Sequence, residues 1–200
     1  MRGLSIEGNG VGNKGIEFTS GASLTVQNCV VRHVLQSGIE FAPNATSKLS
    51  VSNSLVADNG INGIIVAPNG SGTVAVALNR VEANNNNSGI RFEGDLSTGT
   101  VKGTLVDSVA NGNSGAGFFA GTAPGFAPVT FMSIRSTTSN NSTGITVSGT
   151  GAVVRLLNST VTGNTDGWLV FSSGAVQSYG NNSIDGNNAN ETAPPSATIK

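Results

Sequence analysis

Charge is scarce in this 200-residue chain: Lys, Arg, Asp and Glu make up 10% of it and the formal net charge is -1, against roughly 25% charged residues in an ordinary globular domain. Ten basic side chains over the whole length predict no basic stripe, which argues against nucleic acid as a partner. The single cysteine, Cys29, cannot form an intramolecular disulfide and reads first as a structural thiol, with a dimer-forming or reactive one as the alternative. No apolar run approaches the ~18 residues of a membrane-spanning helix, so no transmembrane segment is predicted. Glycine-rich calcium nonapeptides are missing, so calcium does not hold the chain together. No charged and apolar leader precedes Leu4-Ser5-Ile6, and the start reads as that of a chain lacking its own N-terminal cap.

What is present is a repeat of about 25 residues. A Gly-led unit recurs as Gly15-Ile16-Glu17-Phe18, Gly38-Ile39-Glu40-Phe41, Gly63-Ile64-Ile65-Val66, Gly89-Ile90-Arg91-Phe92, Gly117-Phe118-Phe119-Ala120, Gly144-Ile145-Thr146-Val147 and Gly167-Trp168-Leu169-Val170. A corner position follows each second apolar unit, at Asn28, Asn53, Leu78, Val106, Ile134, Asn158 and Asn181. Three residues on, the column reads Val31, Val56, Val81, Val109, Thr137, Val161 and Ile184; three further, Val34, Asn59, Asn84, Gly112, Asn140, Asn164 and Asn187. Apolar and polar residues alternate within each unit, the period of a strand with one buried face. Twenty-eight glycines, with abundant Asn, Ser and Thr, favour turns over helices. The expected fold is all-β: seven stacked coils, each with three short strands, because one coil cannot bury its own apolar side.

These residues resemble the right-handed parallel β-helix proteins of the pectate-lyase-like superfamily, and within it uncharacterised bacterial β-helix repeat proteins more than any enzyme. The resemblance implies a right-handed β-solenoid in which Asn28, Asn53, Asn158 and Asn181 stack as a ladder in the tight second turn, interrupted by Leu78, Val106 and Ile134. Asn suits that place because it tolerates left-handed backbone and its amide can bond to amides above and below. One domain over 1–200 is expected, with coils over 1–187 and a C-terminal cap or tail over 188–200, where Pro194 and Pro195 stop strand pairing. An uncapped first coil would offer an edge for self-association.

In such proteins function lies on the outside of the first sheet, where the outward column reads Glu17, Glu40, Ile65, Arg91, Phe119, Thr146 and Leu169. Glu17 and Glu40 on adjacent coils would lie ~4.8 Å apart, close to the carboxylate spacing of a retaining glycosidase. A solvated surface is the favoured reading of the pair, with a carbohydrate or cation contact next and paired-acid catalysis last. His33 and Asp58 share a second column, an imidazole beside a carboxylate, which continues as Ala83, Asn111, Ser139, Gly163 and Gly186 with no third group of metal or triad type. The acids needed for a calcium-dependent lyase are scattered over Asp58, Asp95, Asp107, Asp166 and Asp185, and no metal or other cofactor is predicted. The outward second-strand column begins Thr25, Ser50, Ala75, too irregular for a threonine array. Trp168 sits in the Ile column and reads as core, and Tyr179 as a weak sugar platform. The expectation is a secreted or cell-surface module that binds glycan or packs in an assembly without catalysis, with Phe126, in the insertion 121–128, beside the binding face. The alternatives are a polysaccharide lyase or glycoside hydrolase completed by upstream coils, and a structural or adhesive spacer.

Overall fold

Ile39 pairs with Ile16 on one side and Ile64 on the other, and this one-coil step repeats along the molecule. The structure, a computed structural model describing residues 1–197, contains twenty strands and, among the described residues, no helix. Every strand pair is parallel. Seven strands, Ile16–Phe18, Ser37–Phe41, Asn62–Val66, Ser88–Glu93, Ala116–Gly121, Thr143–Ser148 and Asp166–Phe171, form one sheet in chain order. The second and third strands of each coil form a thirteen-stranded sheet, continuous round the corner because Ser47–Ala57 and Thr73–Glu82 run through it unbroken. The chain is thus a right-handed parallel β-helix.

The core is the inward half of each alternation. Ile39, Phe41, Val51, Ile64, Val66, Ile90 and Phe92 are all 0% exposed. Phe18 stacks on Phe41 with centroids 4.7 Å apart, and Phe92 on Phe131 at 5.0 Å. Gly103 makes that second stack possible, since a Cβ there would stand 2.6 Å from the Phe92 ring.

The corner keeps Asn at part of the expected positions, without an amide ladder there, and moves the rest. Asn28, Asn53 and Asn158 occupy it with φ of 53°, 48° and 51°, the left-handed region that Asn adopts at low cost. In the middle coils the same place belongs to Arg80, Asp107 and Arg135, with φ of 52°, 50° and 46°, not to Leu78, Val106 and Ile134. Leu78 pairs with Val51 inside the core, and Val106 and Ile134 pair with each other one residue short of the turn. Asn181 lies just beyond Gly180, which takes φ of 89°, and its Oδ1 accepts the Asn158 N–H at 3.1 Å. Asn28 and Asn53 do not bond amide to amide; Arg80 Nε donates to Asn53 Oδ1 at 2.6 Å.

The amide ladder runs one corner further on, through Asn59, Asn86, Asn113, Asn141, Asn164 and Asn187, all buried. Each Oδ1 from Asn86 onward accepts both the backbone N–H and the Nδ2 of the Asn one coil earlier, as Asn113 does from Asn86 at 2.9 and 3.3 Å. Each Nδ2 also donates backwards to a carbonyl, Asn113 to Ala83 O at 3.0 Å. Buried polar groups stay buried only when so paired. The ladder also explains the recurrent glycine: a Cβ on Gly89 would meet the Gly117 carbonyl at 2.6 Å and Asn113 Nδ2 at 3.0 Å. Asn86, Asn113 and Asn141 therefore replace Asn84, Gly112 and Asn140 in the expected column, and Ala83, Ala110 and Thr138 replace Val81, Val109 and Thr137. A parallel column of Cys29, Ser54, Val81, Ser108, Ser136, Ser159 and Asn182 carries hydroxyl-to-backbone bonds, such as Cys29 N–H to Ser54 Oγ at 3.1 Å. Cys29 is 1% exposed and its Sγ–H donates to Gln27 O.

The two ends differ. At the last coil, Gly167 N–H donates to Ala189 O, Ser178 N–H to Pro195 O, and Trp168 Nε1 to Thr192 O at 2.8 Å, so residues 189–197 lie across it; the expected tail's residues 198–200 fall outside the described residues. At the first coil, Ser5–Glu7 pairs with Val30–Arg32, while Ile16–Phe18 has a sheet neighbour on one side only.

Candidate functional site

On the seven-stranded sheet the outward column is assembled in register as Glu17, Glu40, Ile65, Arg91, Phe119, Thr146 and Leu169. Its acidic end is already occupied. Lys14 Nζ lies 2.7 Å from both Glu17 Oε1 and Glu40 Oε1, and these hydrogen bonds, Glu17's first, raise the lysine above its ordinary pKa. Lys14 thus bridges the two carboxylates in an ion-pair triad. Lys14, three residues before Glu17 and outside the strand, carries no repeat signal that would have marked it.

The middle of the column forms a built cleft. Arg91 places its guanidinium 3.8 Å above the Phe119 ring, a cation–π arrangement, and its Nε donates to Glu93 Oε1 at 2.8 Å. Phe119 lies along its own strand because Gly121 leaves room: a Cβ there would stand 2.6 Å from the ring. The wall is the loop from Thr122. Asp95 Oδ1 accepts the Ala123 N–H at 2.7 Å, and Ala127 N–H donates to Ser97 O. Arg91, Glu93, Asp95, Phe119, Thr122 and Ser148 line the cleft. Phe126 stands at the loop tip, 46% exposed, and Phe171, outside every repeat column read from sequence, is 50% exposed beyond Ser148.

His33 and Asp58 lie together on adjacent coils at a corner where both have positive φ, 55° and 57°. The column continues as Asn85, Gly112 and Asn140, not as Ala83, Asn111 and Ser139. A carboxylate from the neighbouring column also reaches the imidazole: Glu7, which pairs with Arg32, places Oε1 2.6 Å from His33 Nδ1, while Nε2 is 3.9 Å from Asp58 Oδ2. Glu7 comes from the half-coil before the first Gly-led unit, which the repeat count had not placed in register. Asp58 is also held by Arg32 at 3.1 Å and by Asn85 Nδ2, so every acid here has a basic or amide partner. Among the described residues no three His, Cys, Asp or Glu side chains could hold a metal ion together, and no helix is long and apolar enough to cross a membrane. The second-strand column is corrected too: Ser50 pairs with Ala77, not Ala75.

Residues 1–81 match the family model described as right handed beta helix region. No curated protein matches the chain. The match ends within the third coil, and the coils beyond it keep the same pairing.

Proposed function

We propose that this right-handed β-helix is a non-catalytic carbohydrate-binding module displayed outside the cell, with the rod as a rigid support and the outward face of the seven-stranded sheet as its binding surface. The observation that carries this reading is the Arg91–Phe119–Glu93 cleft. An aromatic face fixed by a guanidinium, with carboxylates and hydroxyls converging beside it, offers the apolar patch and directed hydrogen bonds that a sugar ring needs. The Lys14 bridge across Glu17 and Glu40 favours binding over acid–base chemistry. Ile65, Thr146 and Leu169 extend the surface along the axis for a polymer. For self-association, Ile16–Phe18 is the edge a second copy would extend.

Incubation with a panel of neutral and acidic polysaccharides tests the reading. Retention without cleavage, weakened at least tenfold by Phe119→Ala, is expected. New chain ends, lost in Glu17→Gln or Glu40→Gln, would replace it with the hydrolase or lyase reading; no retention by any polymer would favour a spacer.

A further inference from the structure

The pairing register gathers charge that the sequence disperses. On the second-strand face of the thirteen-stranded sheet the outward positions are Ser23, Thr25 and Gln27, then Lys48, Ser50 and Ser52, and so on to Ala175, Gln177 and Tyr179. No carboxylate occurs among them, while Lys48, Lys102 and Arg155 do. Arg2 joins the face through its bridge to Gln27, and Arg80 and Arg135 project from the adjoining corner. Counting that corner, six of the chain's ten basic residues stand on or beside this face with two of its eleven acids: Asp107, which Arg135 grips at 2.8 and 3.1 Å, and Glu82, which lines a depression with Arg80 round the corner. Contrary to the even scatter expected from sequence, this side is net positive by formal charge and the remainder net negative. Lys48, Lys102, Arg80, Arg135 and Arg2 are exposed and Arg155 is half-buried.

We propose that this face docks on an anionic lipid surface. The partner follows from the layout. Lys48 and Lys102 stand in the first outward column, Arg155 in the second, Arg2 in the third and Arg80 and Arg135 at the corner. They spread over about 13 Å from the first to the third column and roughly 30 Å along the axis. A linear polymer laid along one column would miss most of these charges. A planar field of mobile anions meets them together. The face has no aromatic platform for stacking bases except Tyr179 at its last coil, which a single-stranded nucleic acid would want. Between the cations lie half-buried Val106, Met132, Ile134 and Leu157, suited to the apolar margin of a headgroup layer.

The test is co-sedimentation with vesicles of phosphatidylcholine alone or mixed equally with phosphatidylglycerol. Binding to the mixed vesicles only, released as salt rises past the range where exposed charges are screened, is expected. Each basic residue near such a surface changes partitioning about fivefold, so Lys48→Gln, Lys102→Gln and Arg155→Gln together should weaken it about a hundredfold with an unchanged thermal transition. Lys14→Gln, on the other sheet, should leave it intact. Equal binding to neutral vesicles, an unaffected triple variant, or retention by single-stranded DNA or polygalacturonate at salt that strips the protein from vesicles would overturn the proposal. Because the triple variant leaves the Phe119 cleft untouched, its sugar retention reports on the binding reading separately.

Discussion

Replacing Asn113 by Ala removes one rung from the middle of the buried amide ladder. The side chain accepts from Asn86 N–H and Nδ2 and donates to Ala83 O and Asn141 Oδ1. Asn86 Nδ2 keeps its bond to Val56 O, and Asn141 Oδ1 keeps the Asn113 N–H. Two groups are left without partners where water cannot reach, the Asn86 N–H and the Ala83 carbonyl. At about 1–3 kcal/mol for each buried orphan, the loss is about 2–6 kcal/mol. Urea unfolding followed by circular dichroism should show a lower midpoint with an unchanged slope. Asn87→Ala, an exposed residue one place along from the ladder, should shift stability by less than about 0.5 kcal/mol. If both variants unfold at the parental midpoint, the ladder contributes nothing and the argument for it fails.

Gly89→Ala presses a methyl group onto the Gly117 carbonyl and should cost about 1–3 kcal/mol in the same urea assay. Lys14→Gln leaves Glu17 beside Glu40 without its bridge; the thermal midpoint at neutral pH should fall by the equivalent of no more than about 1 kcal/mol, and the deficit should shrink as added salt screens the pair. Asp107 is held below its usual pKa mainly by its hydrogen bonds to Arg135, with Arg80 adding charge. Its contribution is therefore present in full above the ordinary aspartate range and lost as pH falls through the lowered folded value. Melting curves recorded across the acid range should accordingly flatten in Asp107→Asn, and an unchanged pH dependence would contradict the pairing.

The seven Gly-led strands were legible because the buried Ile column and the exposed column beside it obey a strict period of two, and both register as read. The corner was legible only where Asn marked it. Arg80 and Arg135 adopt the same left-handed backbone without belonging to the residue types that favour it, so counting from the last apolar residue stopped short by one or two places. The inner ladder was half visible, since Asn59, Asn164 and Asn187 were in column. Asn86 was hidden within the run Asn84-Asn85-Asn86-Asn87, where composition cannot say which amide turns inward. Glu7 and Lys14 were missed for a different reason: both act across coils, Glu7 from the half-coil before the first Gly-led unit and Lys14 from outside the strand. The basic face was missed because charge along a solenoid is organised by register, and a linear count averages it away.

Neighbours one coil apart meet side by side along the whole rod. Phe119→Cys with Thr146→Cys, made in a Cys29→Ser background, tests this directly, since paired positions on adjacent parallel strands lie within disulfide reach. Mild oxidation should close that bridge quantitatively and leave Arg91→Cys with Thr146→Cys, two coils apart, as free thiols. Closure of the second pair in preference to the first would contradict the register and every surface built on it.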